Sequence, residues 1–346
     1  LPRQAQRPAA TTSNSDVFGL PRQKIRAAQR FILLAKCGMV GDVLHRQTRT
    51  GEALPAMKSL KPYVKVMRPT QWVKNGFVLM PLIFSARLFH FEDLVKVIGM
   101  LVAFCFASSA TYIINDYMDM DQDRVHPLKK HRPIASGQIS PAEAFALTGL
   151  LIAAAVAITL AMQAPLECQV LLAAYLGLHL VYSVKLKDLV IVDVLTISAG
   201  FLLRVVAGAA VISVSVSSWL ILCTFSVAIF LALGKRRHEI VILCEDAICH
   251  RPVLENYSVG LLDQLLQVVT TSTFIFYCLY SVRGMGIQSE KMMFTIPLVA
   301  YGIFRYLYLI YHKEDGGSPT ALLLTDPPLL TCVIIWLTAC IGIIYL

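Results

Sequence analysis

Runs of about twenty apolar residues, the length needed to cross a bilayer, recur from residue 72 to the last residue of this 346-residue chain. A backbone inside lipid must satisfy its own N–H and C=O groups, so such runs form helices or the strands of a closed barrel. The two-residue alternation of a membrane barrel is absent. An all-α polytopic membrane protein is therefore predicted, with about nine spans: 72–90, 94–117, 143–163, 167–185, 189–212, 217–237, 264–283, 293–311 and 328–346. The first is the weakest, since it carries Lys74 and Arg87. Composition argues against a water-soluble fold. Hydrophobic residues make up 56% of the chain and charged ones 15%, against about 45–50% apolar and about 25% charged in soluble domains.

Charge sorts the connections into two sets. Those after the second, fourth, sixth and eighth spans hold Arg124, Lys129, Lys130, Arg132, Lys185, Lys187, Lys235, Arg236, Arg237, Arg251 and Lys313. Those after the third and fifth hold no Lys or Arg, and the one after the seventh holds Arg283 and Lys291. By the positive-inside rule the rich side is cytoplasmic, which predicts an inner (plasma) membrane protein with its N-terminus inside. Residues 1–60 form a separate basic segment, with ten Lys/Arg against three Asp/Glu. They read as a cytoplasmic arm, and 21–40 suits an amphipathic helix lying on anionic lipid. An Arg-rich, acid-poor start also resembles an organelle transit peptide. Residues 61–346 hold the transmembrane domain. The nine cysteines include no CxxC pair, and most sit inside spans, where cysteine acts as a small hydrophobe. Cys244, Cys249 and His250 match no standard metal spacing.

The strongest chemical signal closes the second span: Tyr112, Asn115, Asp116, Asp119, Asp121, Asp123 and Arg124. Residues three or four apart share a helix face, so Tyr112, Asn115/Asp116, Asp119 and Asp123 are predicted to form one stripe over three turns. Clustered carboxylates repel unless a cation sits among them. Oxygen-only ligands favour a hard ion such as Mg²⁺, which binds through few carboxylates plus substrate phosphates. The competing reading is a solvated acidic helix end. Lys129, Lys130 and Arg132 follow directly, placed to hold phosphate oxygens or simply serving as positive-inside charges. Tyr182, Lys185, Lys187, Asp188 and Asp193 mark the next cytoplasmic connection, and Lys235, Arg236 and Glu239 the one after. Arg204 falls near mid-membrane, a depth at which an ionisable group faces a cavity or a partner. It either serves a substrate or belongs to a buried ion pair. Lys74 stands at the inner end of the first span beside Trp72 and Asn75, which suit interfacial anchors. Several helices thus bring cations to one membrane face around one acidic stripe, as a substrate with several phosphates would require. No nucleic-acid partner is indicated.

The NDxxDxxxD pattern of Asn115, Asp116, Asp119 and Asp123 resembles the first motif of the UbiA prenyltransferase superfamily. Arg68-Pro-Thr-Gln71-Trp72-Val-Lys74-Asn75, the stretch from Asp123 to Gly137, Leu186-Lys187 with Asp193, Leu-Leu-Arg204, and Gly234-Lys235-Arg236 with Glu239 look like its decaprenyl-phosphate phosphoribosyltransferase branch. The likeness covers about residues 60–346. Two places depart from it: Thr320 and Ala321 after Ser318-Pro319, and Pro327 after Asp326, where acidic residues and an Arg are expected.

The resemblance implies a UbiA-like helix bundle and a Mg²⁺-dependent transfer of phosphoribosyl from 5-phosphoribosyl 1-diphosphate to a polyprenyl phosphate. It implies Asp116, Asp119 and Asp123 as catalytic groups, with Asn115, Asp119 and Asp123 on the metal. Tyr112, Asn115, Lys129, Lys130, Arg132, Tyr182, Lys185, Lys235 and Arg236 would then serve the donor, and Lys74, Lys187 and Arg204 the lipid phosphate. A prenyltransferase using an aromatic acceptor is the alternative. It is disfavoured because the corresponding stretch after the fourth span is basic rather than Asp-rich. An anion transporter is disfavoured because the basic groups gather at one face only.

Overall fold

The computed structural model describes residues 60–126, 129–243, 254, 256–283, 289–312 and 319–346. The basic arm, with the amphipathic helix expected at 21–40, and the stretch 244–250 fall outside the described residues. The described elements are helical. Helix α1 is Lys61–Met67, followed by a 3-10 stretch, Pro69–Leu79, and α2, Met80–Phe84. Then come α3 Phe91–Met118, α4 Met120–Val125, α5 Pro141–Ala161, α6 Leu166–Val184, α7 Val192–Ala210 and α8 Ser218–Leu243. The chain ends with α9 Val259–Arg283, α10 Ile296–His312, α11 Pro319–Thr325 and α12 Pro327–Tyr345.

Among the described residues, 8 helices are long and apolar enough to cross a membrane. They correspond to the second through ninth predicted spans. The first span differs from its prediction as one continuous helix, and the cause is local. Pro81 has no N–H to give the Phe77 carbonyl, and Met80 donates to that carbonyl instead. That bond closes the stretch with the tighter i→i+3 pattern that runs through Pro69–Leu79. This narrow stretch packs closely on α7, because a Cβ on Gly208 would collide with the Val78 carbonyl.

Two helices occupy the centre. In α3 and α7, 61% of the membrane-length window is buried, against 22% in α6 and α12. Outward-facing Phe91, Leu150, Val268, Phe294 and Phe304 are exposed, as a lipid-facing surface requires. Helix α3, with 28 residues, is about 42 Å long at 1.5 Å per residue. A hydrocarbon core is about 30 Å thick, so α3 carries its polar last turns to the edge of the apolar zone. Helix α5 starts from a full capping box, Ser140 with Glu143, and Glu143 also accepts from the Tyr63 hydroxyl at 3.0 Å. That bond fixes α1, and with it Arg68, beside the end of α3.

Candidate active site

The acidic stripe is not one continuous helical face. Asp119 has φ −90° and ψ 4°, which ends α3 and begins α4, so the carboxylates separate into two groups. In the first, Asp116 and Asp123 share Arg132: its Nη1 lies 3.0 Å from Asp116 Oδ1 and 2.6 Å from Asp123 Oδ2. Arg68 also pairs with Asp116 and lies over the Tyr112 ring at 5.2 Å. Arg68 reaches there from the left-handed C-cap of α1, with φ 54°, a conformation non-glycine residues seldom hold. Asp116 and Asp123 are both buried. Burial pushes the Asp123 carboxyl above the usual carboxylate range, outweighing the pull of Arg132.

The second group joins α3 to α6 and the loop beyond it. Asn115 Nδ2 donates to Asp119 Oδ2 at 2.8 Å, Lys187 pairs with Asp119, and the Ser183 hydroxyl donates to Asn115 Oδ1 at 3.3 Å. Lys187 therefore sits on the acidic stripe itself.

Arg204 lies deeper and is 4% exposed. Its Nε donates to Asn75 Oδ1 at 2.7 Å, Nη1 to the Gly200 carbonyl at 2.8 Å and Nη2 to the Tyr175 hydroxyl at 2.8 Å. Tyr175, Phe201 and Phe104 turn ring faces to it at 4.6, 5.4 and 6.0 Å. Among the described residues no carboxylate pairs with it, so the buried ion pair considered above is not what holds it. Its partners are neutral and leave donors over. Asn75 is no interfacial anchor: it is fully buried and also donates to Ser108 Oγ at 3.1 Å. Trp72 donates to Ser109 Oγ at 3.0 Å. Lys74, in the same stretch, is half-buried and has no hydrogen-bond or ion-pair partner among the described residues.

Other predicted site residues fall elsewhere. Arg236 is 1% exposed. It binds Asp193 Oδ2 at 2.7 Å and Glu239 Oε2 at 2.6 Å, with the Tyr182 hydroxyl at 3.5 Å. Tyr257 completes this network by donating to Asp193 Oδ1 at 2.9 Å. Arg236 is thus occupied by carboxylates rather than open to a donor, and the network ties α6, α7 and α8 together. Lys235 lies 3.7 Å from Glu239. Lys130 and Lys185 are exposed and Lys129 half-buried, at the same end of the bundle as the acidic stripe. Asp326, where the expected motif departs, caps α12 and takes two bonds from Arg305 at 3.0 and 2.8 Å. Arg68, Asn75 and Tyr175 are site residues that charge and spacing alone did not single out. Arg68 stood inside a quoted motif, whereas Tyr175 gave no signal beyond an aromatic in an apolar run.

The donor chemistry fits a hard cation. Asn115, Asp119 and Asp123 offer oxygens only, and Mg²⁺ needs few protein ligands when phosphates and water supply the rest. Among the described residues no cluster of three or more His, Cys, Asp or Glu forms a ready cage, and Lys187 and Arg132 pair with the carboxylates.

Relatives and solved structures agree on the architecture. A decaprenyl-phosphate phosphoribosyltransferase of Corynebacterium glutamicum is 29% identical over 293 residues, 82% of this chain and 86% of that protein. Its namesake from Mycolicibacterium smegmatis is 29% identical over 84% of this chain and 95% of its own. A UbiA homologue from Archaeoglobus fulgidus, solved with DMAPP and Mg²⁺, superposes with a TM-score of 0.64 at 18% identity. It covers 82% of this chain and 99% of its own. The UbiA prenyltransferase family description matches residues 78–326, a stretch holding both central helices and both acidic groups. The chain is a multi-pass membrane protein of the UbiA prenyltransferase family.

Proposed function

We propose that the protein transfers the 5-phosphoribosyl group from 5-phosphoribosyl 1-diphosphate to a polyprenyl phosphate, releasing diphosphate. The observation that carries this reading is the vertical sorting of cations. Arg68, Arg132 and Lys187 surround carboxylates at the end of α3. Arg204 and Lys74 stand apart, without carboxylate partners among the described residues. A buried guanidinium held by neutral groups alone is costly, and an anionic headgroup descending from the interface offsets that cost. Two anions at two depths match a diphosphate donor and a lipid phosphate acceptor. The names of the bacterial relatives support the same pair of substrates.

In the reaction the bond between the anomeric carbon and the diphosphate oxygen breaks, and a bond from that carbon to a lipid phosphate oxygen forms. Negative charge moves onto diphosphate while positive charge develops on the ribose. Arg132, Arg68 and Lys187 hold preorganised positive charge where the leaving group gathers electrons. Lys129 and Lys130 extend that field toward the aqueous side. The nucleophile is already an anion, so no strong base is required. Arg204 and Lys74 hold its phosphate and set its approach, which supplies much of the remaining acceleration. Asn115, Asp119 and Asp123 are the residues that would hold a Mg²⁺, which when bound would neutralise charge developing on the leaving diphosphate. In this reading the end of the bundle with the acidic groups faces the cytoplasm at the plasma membrane, and the positive-inside pattern supports that orientation. Lipid-linked phosphoribose of this kind would feed donors of D-arabinofuranose.

The alternative, prenyl transfer to an aromatic acceptor, calls for a second acidic motif. Asp193 is consumed by Arg236 and Tyr257, which leaves Asp188 on that connection. The test uses membranes containing the protein, labelled phosphoribosyl diphosphate and a panel of polyprenyl phosphates. Label should pass into the lipid phase only when both substrates are present. Product formed from a prenyl diphosphate with an aromatic acceptor, and none from phosphoribosyl diphosphate, would overturn the proposal.

A further inference from the structure

The acidic end of α3 is closed by hydrogen bonds from the protein itself. Asp119 uses both carboxylate oxygens: Oδ1 holds the Lys187 ammonium, and Oδ2 takes the Asn115 amide at 2.8 Å. The Asn115 carbonyl oxygen in turn takes the Ser183 hydroxyl at 3.3 Å. On Asp123, Oδ2 holds Arg132 at 2.6 Å. Most of the oxygens a hard cation would need are therefore already engaged, two of them by cations. These two cations are held differently. Arg132 bridges Asp116 and Asp123, so its guanidinium is pinned at two points. Lys187 has Asp119 as its one hydrogen-bond or ion-pair partner among the described residues. It starts from the short turn Leu186–Asp188 on a flexible four-carbon stem, and 15% of its side-chain surface is exposed. An ammonium so placed can swing to another anion that comes within reach.

We propose that Lys187 is a placeholder on Asp119: it neutralises the carboxylate while the site is empty and passes to a diphosphate oxygen when donor and Mg²⁺ arrive together. This rests on the assignment of Asn115, Asp119 and Asp123 to the metal, and adds the order in which the groups engage. A divalent ion arriving alone would have to displace the ammonium and leave it beside a cation of twice its charge, with no anion to receive it. Diphosphate removes that cost, since Lys187 gains a new counter-charge as Asp119 turns to the metal. Metal and diphosphate must then raise each other's affinity, by the reciprocity of linked equilibria. The same exchange keeps half-buried Asp119 from standing as an uncompensated charge in the empty site, an arrangement that is strongly destabilising.

The test uses Mn²⁺ in place of Mg²⁺ and inorganic diphosphate in place of the donor, with full-length protein in detergent. Inorganic diphosphate is the leaving group of phosphoribosyl and prenyl transfer alike, so the outcome does not depend on which group is moved. Electron paramagnetic resonance measures bound Mn²⁺ without turnover, in wild type, Lys187→Gln, Lys187→Met and Asp119→Asn. Mn²⁺ alone should bind wild type weakly and Lys187→Gln about tenfold more tightly, within the range of coupled sites. Diphosphate added at saturating Mn²⁺ should bind that same variant about tenfold more weakly than wild type. Opposite signs for the two ligands mark a placeholder, because a merely structural lysine would weaken both. Binding of Mn²⁺ alone that is unchanged or weaker in folded Lys187→Gln, or in Lys187→Met should the first not fold, would overturn the proposal. So would a failure of both neutral variants to fold, which would give Lys187 a structural role. If wild type takes up Mn²⁺ with diphosphate and Asp119→Asn does not, the metal assignment stands even where the placeholder fails. If wild type binds no Mn²⁺ with diphosphate present, or Asp119→Asn binds it undiminished, the metal assignment falls and this inference falls with it.

Discussion

At the scale of single residues, charge without a counter-charge separates the deep site from the shallow one. Arg204 gives three hydrogen bonds to neutral groups, and each bond to a charged group contributes about 1.5–3 kcal/mol. These bonds orient it but do not neutralise it. Replacing Arg204 with Ala should therefore raise the KM for lipid acceptor about tenfold to a hundredfold while donor KM moves little. Steady-state kinetics and melting curves on one detergent preparation check this. An unchanged acceptor KM beside a large fall in Tm would leave Arg204 with a purely structural role. The shallow carboxylates carry a second expectation. Asp119→Asn should nearly abolish turnover while expression and melting stay normal, and EDTA should abolish wild-type turnover. Full activity in EDTA, or in the Asp119→Asn and Asp123→Asn double variant, would exclude the metal. Asp123 adds a stability argument. Its folded-state carboxyl titrates above the usual range because burial opposes the charged form. Its contribution to stability is then present at low pH and lost as pH rises through the folded value. At neutral pH the charge is a liability, so Asp123→Asn should keep or raise Tm while losing activity. Calorimetry showing a marked fall would mean that the Arg132 pair dominates instead.

At the scale of elements, the legible and the illegible parts of the sequence have different causes. Apolar length and polar ends locate α3, α5 through α10 and α12 because both are one-dimensional properties, readable without knowing any neighbour. The division of the acidic stripe at Asp119 was not readable. Spacing assumes continued helix, and the break depends on contacts from elsewhere: Lys187 on Asp119 and Arg132 bridging Asp116 to Asp123. The same holds for Arg236, whose cationic motif suggested a phosphate ligand until Asp193 and Glu239 stood beside it. The 3-10 stretch lies between these cases. Pro81 announces a disturbance, but the close approach to α7 is visible only in three dimensions. Gly208 is the residue that permits it. Gly208→Val would drive a side chain into the Val78 carbonyl, an overpacking that costs about 1–3 kcal/mol in a tight interior. It should also draw Asn75 away from Arg204. The expected result is a lower Tm together with a raised acceptor KM, whereas Gly149→Val, at an unhindered position, should change neither.

At the scale of the whole molecule, the question is which face of the membrane the acidic groups and their cations address. Contacts join the end of α3 to the end of α6 through Ser183 and Asn115, and α6 to α8 through Tyr182 and Arg236. The polar groups of three helices therefore meet at one end of the bundle, and that end, helix termini and loops together, holds most of the Lys and Arg of the described residues. The positive-inside rule, read from Lys and Arg in short loops, predicts that this end faces the cytoplasm. The opposite end is marked by the connection from α7 to α8, which has no Lys or Arg between Val211 and Ser217. Gln122 on α4 and Ser215 on that opposite connection are both exposed, so each accepts a cysteine without disturbing packing. In a background freed of native cysteines, an impermeant thiol reagent added to intact cells should label Ser215→Cys and spare Gln122→Cys. Permeabilising the cells should make both reactive. Labelling at 122 and not at 215 in intact cells would invert the topology and place the acidic groups outside, where a phosphoribosyl diphosphate donor would have to be exported before it could react.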